Sequence, residues 1–243
     1  MDRIPSGLFV LTSGHADLRG APGGRTIRVN PAGIKVGDIG AKDAERGNRL
    51  VLTIDARLQR LVENALITTP LPAGKELRGC AVMLNAQTGE ILAMVSVPGF
   101  DPNQPIGPLL REPGSPLLNR VTQAAYAPGS TFKPVTLLAG LSAGTIRMTD
   151  SSDCGGGLQI GNRRFGCWSS SGHGRLDAFG AMLQSCDVWF YQEGMRTGID
   201  AISRTATELG LGQPTGLDYG RGTSGLVPTP AWKRAQRKEN WFD

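Results

Sequence analysis

Ser130 and Lys133 stand three positions apart in Tyr126-Ala127-Pro128-Gly129-Ser130-Thr131-Phe132-Lys133, and an apolar segment at helical spacing follows at once. Pro128-Gly129 predicts a turn, so Ser130 falls at a helix N-terminus, where free backbone N–H groups and the helix dipole favour developing negative charge. Lys133 lies one turn on, along the same face. Pro134 falls in the first turn, where its missing donor costs little. A serine hydroxyl is a poor nucleophile until a base takes its proton. A partly desolvated lysine amine can be that base. The pair therefore suggests nucleophilic chemistry at Ser130 with Lys133 as the base. Alone, this spacing is more often an N-capping serine beside a surface lysine, so the surrounding sequence has to decide.

A second group of reactive residues lies downstream. Cys154, Cys167, His173 and Cys186 include three of the chain's four cysteines and one of its two histidines. Three thiolates and one imidazole make a complete tetrahedral zinc set with no open position, which suits a structural rather than a catalytic ion. The spacing lacks the tight pairs of a zinc ribbon. A disulfide between Cys154 and Cys167 and inert buried thiols are the other readings. Cys80, at the head of an apolar segment, reads as core, and His15, in a Gly-rich stretch, receives no role.

The elements that would position these groups follow from periodicity. Residues 26–29 read as extended. Residues 50–54 read as a strand, and Asp55 as the N-cap of a helix over 56–66, with Leu58, Leu61, Val62, Ala65 and Leu66 at helical spacing. Residues 70–74 mark a boundary. Strands over 80–85 and 90–96 are joined by 86–89 with Gly89 at the turn, a hairpin pattern. A proline-rich loop spans 98–116. Helices are expected over 130–141, 176–183 and 199–209, separated by Gly-rich loops. A hairpin followed by helices indicates an α+β fold with an antiparallel sheet packed on helical layers.

Composition narrows the classes further. An apolar share of 40% is that of a globular chain, and 34 Gly with 16 Pro predict many turns. The net charge of +5 is spread out apart from Lys233, Arg234, Arg237 and Lys238, and no nucleic-acid-reading motif accompanies that cluster, so no nucleic-acid partner is expected. No run of 18 apolar residues is present to span a bilayer.

Set in order, 52–59 (LTIDARLQ), 88–96 (TGEILAMVS), 100–103 (FDPN), Asn119-Arg120, 128–133 (PGSTFK), 172–174 (GHG), 185–187 (SCD), 209–212 (LGLG) and 215–218 (TGLD) resemble the class B penicillin-binding proteins, especially their elongation-specific, cell-shape branch. The resemblance covers about 50–232. It implies a serine-lysine transpeptidase fold and three stretches: 1–49 as the remnant of a pedestal module, 50–74 as a linking strand and helix, and 75–243 as the first portion of the transpeptidase domain.

The resemblance also implies a reaction. Ser130 would attack the carbonyl between the two terminal D-alanines of a peptidoglycan stem peptide, expel D-Ala and pass the acyl group to an amine on a neighbouring strand. β-Lactams would mimic that dipeptide. Ser185 would bond Lys133 and relay a proton to the leaving amine, while the third position of this motif, normally Asn, would orient the substrate amide. Here it is Asp187, which when ionised accepts but cannot donate; the bland alternative makes it a helix cap. Cys186 lies inside the same motif, so a metal on the cluster would brace the loop that holds Ser185.

The family's third motif, Lys-[Thr/Ser]-Gly, is absent: after Asp187 the lysines are Lys233 and Lys238. That motif supplies one oxyanion donor from a central strand, and losing one donor typically costs about 10²–10³ in rate. The expectation is a chain without its central C-terminal strands, inactive and poorly folded when alone. The full protein is expected to be anchored in the bacterial cytoplasmic membrane with this domain outside it, alongside a membrane glycosyltransferase and elongation-complex proteins. A D,D-carboxypeptidase or β-lactamase-like hydrolase is the first alternative, though no local motif for a deacylating acid is evident. A non-catalytic scaffold is the second.

Overall fold

The computed structural model describes residues 18–217 and 222–241. His15 and Asp218, and the chain's first residues, lie outside them. The described residues divide into two compact units, the first within 18–124 with 215–217 and 222–223, the second within 125–214 with 224–241.

In the first unit, β1 (Gly24–Val29) and β2 (Lys35–Lys42) form an antiparallel ladder from Gly24↔Lys42 to Val29↔Lys35. The Asn30 side chain closes its turn by accepting from the N–H groups of Ala32 and Ile34. Helix α1 (Ala56–Ile67) starts where Asp55 was expected to cap it, and the carboxylate accepts from Arg57 N–H at 2.8 Å and Leu58 N–H at 3.0 Å. The helix lies on a hairpin of β3 (Gly79–Leu84) and β4 (Ile91–Val97). Gln59, fully buried, joins the two: its amide donates to Met94 O at 2.7 Å and accepts from Met94 N–H at 2.8 Å.

Two expectations need correction here. Residues 50–54 form no strand. Thr53 Oγ1 donates to Ile91 O (2.6 Å) and the next residue but one, Asp55, donates its N–H to Leu92 O (2.9 Å) before its cap turns the chain into α1. The buried member of the hairpin is β4, with Ala93, Val95 and Val97 in the core, whereas Val82, Met83 and Leu84 of β3 are exposed and Cys80 is half-buried.

The proline-rich loop holds one short helix, α2 (Ile106–Leu109). It is fastened by Arg120 at the start of α3 (Arg120–Gln123), whose buried guanidinium donates to the carbonyls of Gly114, Ser115 and Leu118.

In the second unit, a 3₁₀ turn over Gly129–Phe132 runs into α4 (Lys133–Ser142). The region read as Gly-rich loops is instead two small antiparallel ladders: β5 (Ser151–Cys154) pairs with β8 (Gly174–Asp177), and β6 (Gly157–Ile160) pairs with β7 (Arg163–Gly166). Four-residue strands carry too few side chains to show a period of two, and that is why the sequence concealed them. For the same reason the helix expected from 176 begins later, as α5 (Ala178–Leu183), its first two positions being the end of β8. Then follow α6 (Asp187–Thr197), α7 (Ile199–Glu208) and α8 (Pro230–Arg237).

Helix α4 packs on α6 and α7. Gly140 permits the approach of the chain after α4, since a Cβ there would lie 2.1 Å from Ile146 Cδ1. Ile146, Cys154, Ala178, Ala181, Cys186, Val188, Trp189 and Phe190 make the core of this unit. Val188, Trp189 and Phe190 thus anchor the first turn of α6 and fix the position of Asp187 beside them.

Candidate active site

The candidate catalytic and metal-ligating residues named from the sequence all lie in the second unit. Gly129, at φ 56, takes the left-handed conformation that favours glycine and turns the chain into the 3₁₀ segment. Ser130 is exposed on that turn, and its carbonyl accepts from Lys133 N–H. Thr131 Oγ1 donates to Pro128 O at 2.6 Å and tightens the turn.

Lys133, at the head of α4, is folded inward with 11% of its side chain exposed. Its Nζ donates to Ser185 O at 2.7 Å, to Ser185 Oγ at 3.0 Å and to Asp187 Oδ1 at 2.6 Å. Nζ thus has three oxygen neighbours within hydrogen-bond distance. The sequence-based expectation of a Ser185–Lys133 contact corresponds to a bond that is present. Asp187 is the first residue of α6 rather than its cap, and the Cys186 side chain in the cap position makes no capping bond. Its second oxygen, Oδ2, accepts from Trp168 N–H at 3.0 Å.

Ser185 owes its place to the way α5 ends. Cys186 N–H returns to Ala181 O at 2.9 Å and Ser185 N–H to Met182 O at 3.2 Å, the paired bonds of a Schellman ending. The residue inside such a turn is left-handed and usually glycine; here it is Ser185, at φ 50. A side chain in that conformation costs roughly 1–2 kcal/mol. What it provides is a hydroxyl aimed at Lys133.

Cys154, Cys167, His173 and Cys186 meet beside this turn, with one ligand atom from each all within 4.8 Å of one another. His173 Nδ1 lies 3.6 Å from both Cys154 Sγ and Cys167 Sγ. A tetrahedral zinc ion with bonds of about 2.0–2.3 Å spaces its ligands by about 3.3–3.8 Å, so the donor set fits such an ion in type, and the two His173–cysteine distances fall in that range. All four cysteines are free thiols. Burial, then the crowding of Cys154 and Cys167, pushes the Cys186 thiol up to about 12. Burial would raise Cys167 as well. There the N–H groups of Ser169, Val188 and Asp187 outweigh it and hold the thiol below its ordinary value.

Trp168 and Gln184 had no role in the sequence reading, because nothing local marks them. Trp168 Nε1 donates to Gln184 O at 2.9 Å, and its ring packs on His173 with centroids 5.1 Å apart.

The arrangement sets the exposed Ser130 one turn ahead of Lys133, whose Nζ is held by a second serine and a carboxylate. Residues 79–240 match the penicillin binding protein transpeptidase domain, and the chain belongs to that family. It is similar to peptidoglycan D,D-transpeptidase MrdA of Escherichia coli, 35% identical over 235 residues, and to MrdA of Acinetobacter baumannii, 34% identical over 235 residues. Each alignment covers 93% of this chain but 36% and 34% of those proteins, so the chain spans about a third of their length. Among solved structures, Pseudomonas aeruginosa PBP2 in complex with WCK 5153 matches with a TM-score of 0.73 at 36% identity, over 82% of this chain and 44% of that one. PBP2 of Helicobacter pylori in complex with MreC matches with a TM-score of 0.75 at 27% identity, over 94% of this chain and 43% of that one.

Proposed function

We propose that this chain carries the nucleophile side of a peptidoglycan D,D-transpeptidase of the cell-elongation type. The observation that supports this most is Lys133 Nζ, buried at the head of α4 one turn after Ser130 and bonded to both Ser185 Oγ and Asp187 Oδ1. Ser130 Oγ attacks the penultimate D-Ala carbonyl of a stem peptide while Lys133 takes its proton, giving a tetrahedral oxyanion near the N–H groups at the turn. Collapse of the oxyanion breaks the C–N bond. The proton held at Lys133 passes through the Ser185 hydroxyl to the departing D-Ala amine, and an ester on Ser130 remains. An amine from a second stem peptide attacks that ester, forming the cross-link amide as the C–Oγ bond breaks, and the amine's proton passes through Lys133 to Ser130 Oγ, restoring the serine. Asp187 keeps Lys133 in place. Its carboxylate is occupied by Lys133 and the Trp168 N–H, so it does not supply the amide donor that Asn gives at this position in the family.

Zinc held by Cys154, Cys167, His173 and Cys186 is part of the proposal. Its role is structural: it would brace the turn that carries Ser185. Membrane anchorage with the domain outside the cytoplasmic membrane and a glycosyltransferase partner are proposed from the family resemblance, and elongation-complex partners by likeness to the PBP2–MreC complex and to a peptidoglycan synthase complex that coordinates polymerization and crosslinking.

Among the described residues no helix is long and apolar enough to cross a membrane. The test is D-Ala release by the intact protein from a synthetic pentapeptide bearing D-Ala-D-Ala with an amine acceptor present. Cross-linked product, lost on Ser130→Ala, is expected; release without cross-linking would indicate a carboxypeptidase instead.

A further inference from the structure

Trp168 is an exposed aromatic, 67% accessible, yet three of its groups are engaged. Its indole N–H donates to Gln184 O at 2.9 Å, its backbone N–H donates to Asp187 Oδ2 at 3.0 Å, and its ring packs on His173. Gln184 and Asp187 bracket Ser185, the left-handed residue whose hydroxyl and carbonyl both meet Lys133. One residue outside the turn thus holds the residue before Ser185 through its indole N–H and the carboxylate after it through its backbone N–H.

A non-glycine residue held in the left-handed region persists only where its surroundings over-determine it. The two Schellman bonds fix the turn from the α5 side. The bonds from Trp168 fix it from outside. An aromatic ring this exposed contributes little to a core, so its packing alone does not explain its engagement.

We infer that Trp168 is a positioning residue for acylation: by clamping Gln184 O and Asp187 Oδ2 it keeps the strained Ser185 turn aligned on Lys133. The inference rests on the transpeptidase-type reading of Ser130 and Lys133. It adds a residue outside the catalytic motifs and ties the Cys167–His173 side of the metal cluster to the base through one peptide bond, that between Cys167 and Trp168.

The consequence concerns rate rather than recognition. Loosening the turn misplaces the proton relay without removing any group that touches the β-lactam, and misplacement of a catalytic group by a fraction of an ångström to one ångström slows the chemical step steeply. Trp168→Phe keeps an aromatic ring and the backbone N–H but removes the indole donor with half of the bicycle. Replacing Trp168 by the benzothiophene analogue of tryptophan removes the donor alone, with the ring shape retained.

In the intact protein, stopped-flow acylation by a fluorescent penicillin separates the pre-covalent dissociation constant from the acylation rate constant. Both variants are expected to lose about tenfold in the rate constant, the scale of one hydrogen bond. The dissociation constant, the melting temperature and the metal content should stay as in the wild type. Wild-type rate constants in the benzothiophene variant overturn the inference. So does a parallel loss of binding, melting temperature and rate, which would make Trp168 a structural residue only. Absence of any labelling in the wild type would instead overturn the transpeptidase reading itself.

Discussion

Lys133 Nζ and Asp187 Oδ1 lie 2.6 Å apart although the residues are 54 positions apart in sequence. Helix α4 brings one and the first turn of α6 the other, and the packing of α4 on α6 makes the meeting possible. With 11% and 24% of their side chains exposed, the two charges are largely removed from water. Removing one partner leaves the other buried and unpaired. Asp187→Ala is therefore expected to cost about 3 kcal/mol of stability, read by denaturant unfolding. It should slow β-lactam acylation as well. An unchanged unfolding midpoint would show that the pair contributes little to the fold.

Ser185 places stability and chemistry in opposition. Glycine is at ease at φ 50 and serine is not. Ser185→Gly should relieve about 1 kcal/mol of backbone strain, offset in part by the lost Oγ bond to Lys133. The Lys133 bond to the Ser185 carbonyl is retained. The melting temperature is expected to match or exceed that of the wild type while acylation falls at least about a hundredfold, the scale of lost general acid–base help. A large loss of stability would mean that the hydroxyl is needed for folding instead.

Much of the fold and the core of the site were legible in the sequence because those parts are local. Asp55 as a helix cap, the hairpin turn at Gly89, and Ser130 one turn ahead of Lys133 each depend on residues a few positions apart. Ser185 and Asp187 became readable through family resemblance, and the geometry then joined them to Lys133. The strands around Cys154 and Cys167 escaped notice because four residues are too few for a period, and residues 50–54 misled because an apolar run suits a strand whether or not a partner is available. Trp168 was invisible for another reason. Its bonds go to a carbonyl and a carboxylate brought close only by the fold.

The cysteine–histidine cluster predicts a metal dependence. Elemental analysis of the intact protein should find about one zinc per chain, and a strong chelator should lower the melting temperature. Thiols must lose their protons to bind the ion, and Cys186 in particular is held protonated in the metal-free fold. Zinc affinity of the chelator-treated protein should therefore rise with pH. Zinc below a tenth of an equivalent, with cysteines paired on peptide mapping, would leave a disulfide as the better account.

Asp150 supplies an acid-sensitive brace behind α6. The Arg196 guanidinium, followed by the Arg147 N–H, holds its carboxyl below the ordinary 3.8. A depressed carboxylate contributes stability that is present above its unfolded value and is lost as pH falls through its folded one. Stability should thus decline below about pH 4, and Asp150→Asn should flatten that decline. An acid limb of equal slope in the variant would assign the loss to other groups.

Acyl transfer here requires the Ser130 hydroxyl to act with the Lys133 amine. Intact protein incubated with a β-lactam, digested and analysed by mass spectrometry tests it most directly. The predicted result is one adduct, on the peptide containing Ser130, abolished by Ser130→Ala and nearly so by Lys133→Met. An adduct elsewhere, or undiminished labelling in the Lys133 variant, would contradict it.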